Sequence, residues 1–135
     1  MYYLNSKLIQ KGGDRELRNL DKNRPVCPQI CELLCVDIVN GVYDAERRLP
    51  AVRELAAGWG VNPNTVQKAL DTLEEQGLLH SVRGSGWYVR EDISRAREVL
   101  QELRIEKIRE FFAVMESLGL SPEETCEFVK EWYHE

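Results

Sequence analysis

The sequence predicts a mainly α-helical protein with one small β-hairpin: a winged helix-turn-helix domain followed by a two-helix tail. Three observations lead to this fold class. Three short helical patterns follow one another with tight breaks between them, two β-prone runs flank a glycine-rich turn, and two further helical patterns close the chain. Three helices followed by a hairpin are typical of a winged helix, in which the hairpin is the wing.

The 135 residues divide into three predicted regions. Residues 1–24 are a polar extension to which the sequence assigns no role. Residues 25–90 hold the winged helix-turn-helix domain, and residues 91–135 hold the helical tail. No apolar run reaches the ~20 residues that a membrane span needs, and the N-terminus lacks the layout of a secretory signal. We therefore expect a cytoplasmic protein.

The first helix is expected after Pro25 and Pro28, and it ends near Asn40. Three cysteines lie four residues apart along one of its faces. Free cysteine is often buried, so small packing residues are favoured over a thiol sensor or a metal site. A zinc site is not expected, because no histidine or second Cys-x-x-Cys motif is at hand to complete it. The three cysteines are Cys27, Cys31 and Cys35.

The second and third helices follow Leu49-Pro50 and are separated by a glycine-containing break at residues 58–61. Asn62 is a good N-cap for the third helix, and Pro63 suits the first helical position, where a missing N–H costs nothing. Gly77 provides a left-handed stop. The apolar stripe of the third helix has helical spacing, and it consists of Val66, Ala69, Leu70 and Leu73.

The wing is predicted from residues 78–82 and 87–90, with residues 83–86 as the turn between them. The tail reads as one helix from about residue 93 to 118 and a second helix that begins near Ser121. Ser121 and Glu124 have the spacing of a capping box, in which each side chain bonds the other residue's backbone.

The net charge of −5 argues at first against a nucleic-acid partner, but the charge is unevenly distributed. Residues 47–90 carry six basic and four acidic side chains, whereas residues 91–135 carry six basic and twelve acidic ones. Phosphate binding depends on the local potential rather than on the total. The charge pattern therefore permits DNA binding without proving it.

Polar side chains on the third helix and cations in the wing are the candidate DNA contacts. In a helix-turn-helix the first turns of the second helix of the motif face the bases in the major groove. Asparagine and glutamine can bond adenine in pairs, and arginine can bond guanine or phosphate. Each residue alone could be an ordinary solvated side chain, but together they favour DNA. The candidates are Arg53, Asn62, Asn64, Thr65, Gln67, Lys68, Arg83 and Gly84.

Four separated motifs resemble the DNA-binding domain of the GntR family of bacterial transcription regulators. In one-letter code they read LPAVRELA (49–56), GVNPNTV (60–66), LEEQGL (73–78) and VRGSGWYV (82–89). The resemblance covers about residues 25–90, and the short two-helix tail is similar to the YtrA-type branch. It implies a homodimer that binds an inverted-repeat operator, usually as a repressor, and that often controls transporter genes.

The resemblance also implies DNA contacts by Arg53, by the first turns of the third helix and by the wing residues Arg83 and Gly84. Two departures limit what can be carried over. The turn before the second helix often reads Pro-Gly in the family, whereas here it is Ala45-Glu46. Many members have arginines in the third helix where this chain has Pro63 and Gln67, so an operator sequence cannot be transferred.

The tail bears more apolar surface than two helices can bury against each other, which favours self-association over packing back onto the same chain. The tail is too short for the effector domains of other branches. The sequence leaves open whether a small-molecule effector binds this protein. The expected binding site for such an effector is the dimer interface. The expected dimerisation residues are Leu103, Phe111, Phe112, Phe128 and Trp132.

Two other function classes were weighed against DNA binding. An enzyme is not expected, because the two histidines, His80 and His134, lie near no nucleophile motif or phosphate loop, and no cofactor is expected either. The alternative is a winged-helix module that binds proteins. The polar outer face of the third helix and the cation Arg83 favour DNA over that alternative.

Overall fold

The computed structural model describes residues 20–44 and 46–134, and within them it contains five helices and one two-stranded sheet. This confirms the predicted fold class. Residues 1–19, most of the predicted extension, lie outside the described residues, as does Ala45 of the predicted turn. The elements are α1 (Val26–Val39), α2 (Val52–Trp59), α3 (Pro63–Glu75), β1 (Leu79–Val82), β2 (Gly86–Val89), α4 (Ser94–Ser117) and α5 (Pro122–His134).

The chain forms two compact units, the first ending at Leu100 and the second beginning at Gln101. In the first unit α1 and α2 both pack against α3, and α3 also packs against β1. The four predicted stripe residues of α3 are no more than 1% exposed. The core therefore encloses one face of α3. Its largest fully buried apolar side chains include Ile30, Leu34, Ile38, Leu55, Leu70, Leu73, Leu78 and Leu79.

The ends of α3 lie where the sequence places them. The side chain of Asn62 accepts a hydrogen bond from the backbone N–H of Asn64 at 2.8 Å, and Pro63 occupies the first helical position. At the other end, Gly77 has a φ of +86°, as the predicted left-handed stop requires. The backbone N–H of Leu78 then bonds the carbonyl of Leu73 at 2.9 Å. Local signals thus define where α3 begins and ends.

Two predicted helix boundaries were wrong. Helix α1 begins at Val26, so Pro28 lies inside its first turn rather than before it. Proline is tolerated there because the first N–H groups of a helix have no intrahelical acceptor. Helix α2 continues through Gly58 to Trp59 and ends at Gly60, whose φ of +68° is left-handed. The predicted break at 58–61 therefore starts two residues too early.

Two of the three cysteines of α1, Cys31 and Cys35, contact backbone carbonyls within the first unit. Cys35 is buried and its thiol contacts the carbonyl of Ala96 at 3.4 Å, while the thiol of Cys31 contacts the carbonyl of Ala69 at 3.5 Å. Burial, followed by the neighbouring Cys27, raises the pKa of Cys31 to about 12. A thiol held neutral in this way is a poor nucleophile, which supports the packing interpretation.

The wing is an antiparallel hairpin in which Leu79 pairs with Val89 and Val82 with Gly86. A segment that the sequence analysis did not predict as a strand runs along the other side of β2. The N–H of Leu49 bonds the carbonyl of Trp87 at 2.8 Å, and the N–H of Val89 bonds the carbonyl of Arg47 at 3.0 Å. This edge segment, residues 46–49, therefore ties the start of α2 to the wing.

The second unit contains most of α4 and all of α5. The predicted capping box is present, since Glu124 N–H donates to the Ser121 hydroxyl at 3.1 Å and Ser121 N–H donates to the Glu124 carboxylate at 3.2 Å. Thr125 is fully buried. None of the described helices combines the length and the apolar character needed to cross a bilayer.

Glu46 is the one described residue other than glycine with a positive φ, +62°. A left-handed conformation costs an L-residue about 1–2 kcal/mol. Glycine avoids this cost, but it increases the conformational entropy of the unfolded chain, which offsets part of the gain. We expect Glu46→Gly to raise the free energy of unfolding by about 0.5–1 kcal/mol in urea denaturation. Glu54→Gly, at an exposed site in α2, should lower it by about 1 kcal/mol. A destabilised Glu46→Gly variant would contradict this account.

Candidate nucleic-acid interface

The polar face of α3 points outward because its apolar stripe is buried. Asn64, Gln67 and Lys68 are exposed, and Thr65 is half-buried. The structure thus brings these predicted contact residues onto one accessible helix face. Asn62 is also exposed, but its side-chain oxygen is engaged as the N-cap of α3, which leaves its NH₂ group to donate to a ligand.

The wing turn lies beside this face of α3. Gln67 and Asp71 from α3 and residues 81–87 of the wing line a groove of about 620 Å³. Arg83 and Gly84 form the exposed centre of the turn, and the N–H of Ser85 closes it by bonding the carbonyl of Val82 at 2.9 Å. One predicted contact residue of α3, Gln67, therefore lines the same groove as the predicted wing residues Arg83 and Gly84.

Arg48 lies against the wing at Gly86, although it is not among the DNA contacts predicted from the sequence. It pairs with Tyr88 of β2 through the edge segment. A methyl group at residue 86 would lie 3.1 Å from Nε of Arg48, and the φ of Gly86, +135°, also favours glycine. The glycine thus lets the Arg48 guanidinium lie against the wing backbone. No local pattern could reveal a contact between residues so far apart in the sequence.

Arg53 is exposed at the second position of α2. It follows the edge segment closely, so the backbone bonds of that segment to β2 also position the start of α2 against the wing. Arg47 points elsewhere: its guanidinium donates to the carbonyl of Val42 at 3.2 Å and lies 6.0 Å from the centre of the Tyr43 ring. Of these three arginines, Arg47 is the one with a clear structural role.

Glu74 attaches the wing to the last turn of α3. Its carboxylate accepts hydrogen bonds from the backbone N–H of Ser81 at 2.6 Å and from the Ser81 hydroxyl at 2.9 Å. These bonds, the backbone one first, lower the pKa of Glu74 from its ordinary value of 4.5. No local pattern indicates this role of Glu74, because its partner lies on the strand beyond the glycine stop.

The predicted strand residue His80 has a packing role in the described structure. Its ring stacks on that of Tyr88 across the hairpin, with centroids 5.8 Å apart. Among the described residues, no group of three or more His, Cys, Asp or Glu side chains is arranged to hold a metal ion.

Comparisons with known proteins agree with this geometry. Residues 28–89 match the profile described as bacterial regulatory proteins, gntR family. The chain is 32% identical over 108 residues to the uncharacterised HTH-type transcriptional regulator YhcF of Bacillus subtilis, which covers 80% of the chain and 89% of that protein. The chain belongs to the GntR family.

Other relatives of this GntR regulator support the assignment. The HTH-type transcriptional repressor YtrA of Bacillus subtilis is 32% identical over 111 residues, covering 79% of the chain and 83% of YtrA. A GntR family transcriptional regulator from Listeria monocytogenes is similar in structure, with a TM-score of 0.72 and 35% identity over 83% of this chain and 98% of that one. The predicted family, with its YtrA-type relatives, is therefore confirmed.

A solved complex with DNA is among the structural neighbours. The AraR DNA-binding domain in complex with operator ORX1 matches with a TM-score of 0.52 and 30% identity, covering 56% of this chain and 99% of that domain. The GntR regulator is thus a DNA-binding transcriptional regulator by family, and the relatives found are regulators rather than enzymes.

The bond between Glu74 and Ser81 makes a pH-dependent contribution to stability. Because the folded pKa of Glu74 is lowered, the contribution is present above pH 4.5 and is lost as the pH falls through the folded pKa. We expect the difference in unfolding free energy between the wild type and Glu74→Gln to shrink below about pH 4.5. Urea denaturation across pH measures it, with the exposed Glu75→Gln as control. A difference that stays constant with pH would contradict the assignment.

Proposed function

We propose that the protein inserts α3 into the major groove of an operator duplex and places the wing against the flanking groove and phosphates. The observation that carries this proposal is the groove between α3 and the wing, which Gln67 and Asp71 of α3 line together with residues 81–87. On α3, Asn64, Thr65 and Gln67 offer side chains suited to base edges, and Lys68 offers a cation suited to phosphate.

Three further groups complete the proposed interface. Arg53 reaches a phosphate or a guanine edge from the start of α2. In the wing, Arg83 supplies a cation at the tip, and Gly84 lets the backbone approach the duplex closely. Asn62 caps α3 and donates through its remaining NH₂ group.

We further propose that the second unit makes the protein a homodimer. Large apolar side chains on both of its helices are exposed to solvent. Examples are Ile108 (55%) and Val114 (56%) on α4, and Phe128 (52%) and Trp132 (61%) on α5. The predicted dimerisation residues Phe111, Phe112 and Leu103 lie on α4 and are exposed or half-buried. An apolar surface of this kind is uncommon on a monomer. A two-fold dimer of winged domains then matches an inverted-repeat operator.

The division of labour follows from this proposal. Residues 25–90 bind DNA, residues 91–135 dimerise, and residues 1–24 are left without a role. YtrA and NagR of Bacillus subtilis are named as repressors, which supports repression here. The proposed place of action is the cytoplasm, and a small-molecule effector, where there is one, binds at the dimer interface.

The DNA-contact proposal predicts two different responses to arginine removal. Arg53→Ala should weaken operator binding by about 1–3 kcal/mol if the guanidinium reads a base. Arg83→Ala should lose more affinity at low salt than at high salt, because a phosphate contact acts through counterion release. Fluorescence anisotropy on the duplex upstream of the gene at two salt concentrations measures both. Arg97→Ala on α4 removes the same charge and should leave binding unchanged; equal binding by all four proteins would refute the proposed contacts.

The dimer proposal predicts a charge-sensitive interface. The full chain should scatter light as a dimer at micromolar concentration, and the double variant Phe128→Glu with Trp132→Glu should be a monomer, because it places carboxylates in an apolar interface. Lys130→Glu lies between them on α5 and changes the net charge by the same amount, yet it should remain a dimer. A wild-type monomer would contradict the proposal.

A further inference from the structure

A carboxylate lies within the surface proposed to meet DNA. Asp71 is exposed on α3, one turn after Gln67, and both side chains line the groove between α3 and the wing. DNA carries a negative charge at every phosphate, so a carboxylate beside it lowers the affinity for any sequence. Phosphate binding therefore gives no reason for an acidic residue at this position.

Asp71 is joined to a proposed base-reading residue. The side-chain nitrogen Nε2 of Gln67 donates to Oδ1 of Asp71 at 3.0 Å. A glutamine amide has a donating end and an accepting end, and rotation by half a turn exchanges them. An ionised carboxylate only accepts hydrogen bonds, so the donating end of Gln67 must face Asp71. The bond thus fixes the orientation of the Gln67 amide, with Nε2 directed towards Asp71 and Oε1 directed away from it.

We propose that Asp71 is a positioning residue that sets base specificity by holding the Gln67 amide in one orientation. This inference rests on the proposed binding of α3 in the major groove. Nε2 keeps a second N–H after bonding Asp71, and Oε1 keeps its acceptor sites. Adenine presents the complementary pair in the major groove, an acceptor at N7 and a donor at N6. Gln67, oriented by Asp71, reads an adenine.

The arrangement has two effects of opposite sign. Without Asp71 the amide rotates freely and loses its preference for one base. At the same time the loss of a negative charge near the phosphates strengthens binding to every sequence. A carboxylate that only repels phosphate would produce the second effect alone. The combination of weaker discrimination and stronger general affinity therefore distinguishes a positioning role.

Selection from a random duplex library by the full chain tests the proposal without a known operator. The proteins compared are the wild type, Asp71→Ala, Gln67→Ala and a control, Glu75→Ala. Glu75 is exposed on the same helix and does not line the groove. We expect Asp71→Ala and Gln67→Ala to lose the preference for adenine at the same base pair. Glu75→Ala removes the same charge and should keep the wild-type motif.

Fluorescence anisotropy is measured with the selected duplex and with a duplex changed at that base pair. The ratio of the two affinities gives the discrimination of each protein. Discrimination should fall at least about fivefold in Asp71→Ala, the lower range for loss of a paired base contact. Binding to unrelated DNA should become tighter at low salt. Asp71→Asn keeps the size but can donate as well as accept, so it should lose discrimination too.

The outcomes separate this inference from the proposed function. If Asp71→Ala keeps every preference of the wild type, the positioning role is refuted, whether or not its general affinity rises. If it loses preference at a base pair that Gln67→Ala leaves unchanged, Asp71 does not act through Gln67. If the wild type selects no motif at all, the proposed DNA interface itself fails.

Discussion

The burial of one stripe of α3 is the constraint on which the rest of the structure depends. Val66, Ala69, Leu70 and Leu73 are essentially inaccessible to water because α1 and α2 close over them. A helix has a fixed angular relation between its faces, so enclosing this stripe commits the opposite face to the outside. The exposure of the proposed recognition surface is therefore a consequence of hydrophobic packing on the opposite face of α3.

Several weaker interactions then orient the wing relative to that face. Glu74 bonds Ser81 of β1, and residues 46–49 bond β2 along its other edge. Each bond is modest by itself, but together they attach the hairpin both to α3 and to the start of α2. The family resemblance implies which residues touch DNA; these bonds hold the wing beside α3.

Elements that local chemistry specifies could be predicted from the sequence. Asn62-Pro63, Gly77 and the capping box of Ser121 and Glu124 act within a few residues, and their predictions were confirmed. The pairing of residues 46–49 with β2, the approach of Arg48 to Gly86 and the bond of Glu74 to Ser81 were missed, because they join residues with no shared periodic pattern. The predicted start of α1 was wrong because Pro28 was taken to precede the helix. Proline disrupts the interior of a helix but is tolerated in its first turn.

The edge segment has a mechanical consequence. Because residues 46–49 are hydrogen-bonded to β2 and precede α2 by only two residues, they link the arginine at the start of α2 to the wing. These backbone hydrogen bonds restrict displacement of the start of α2 relative to β2. A signal that releases the proposed dimer from its operator is therefore expected to change the distance between the two winged domains. The structure of each winged domain should stay the same.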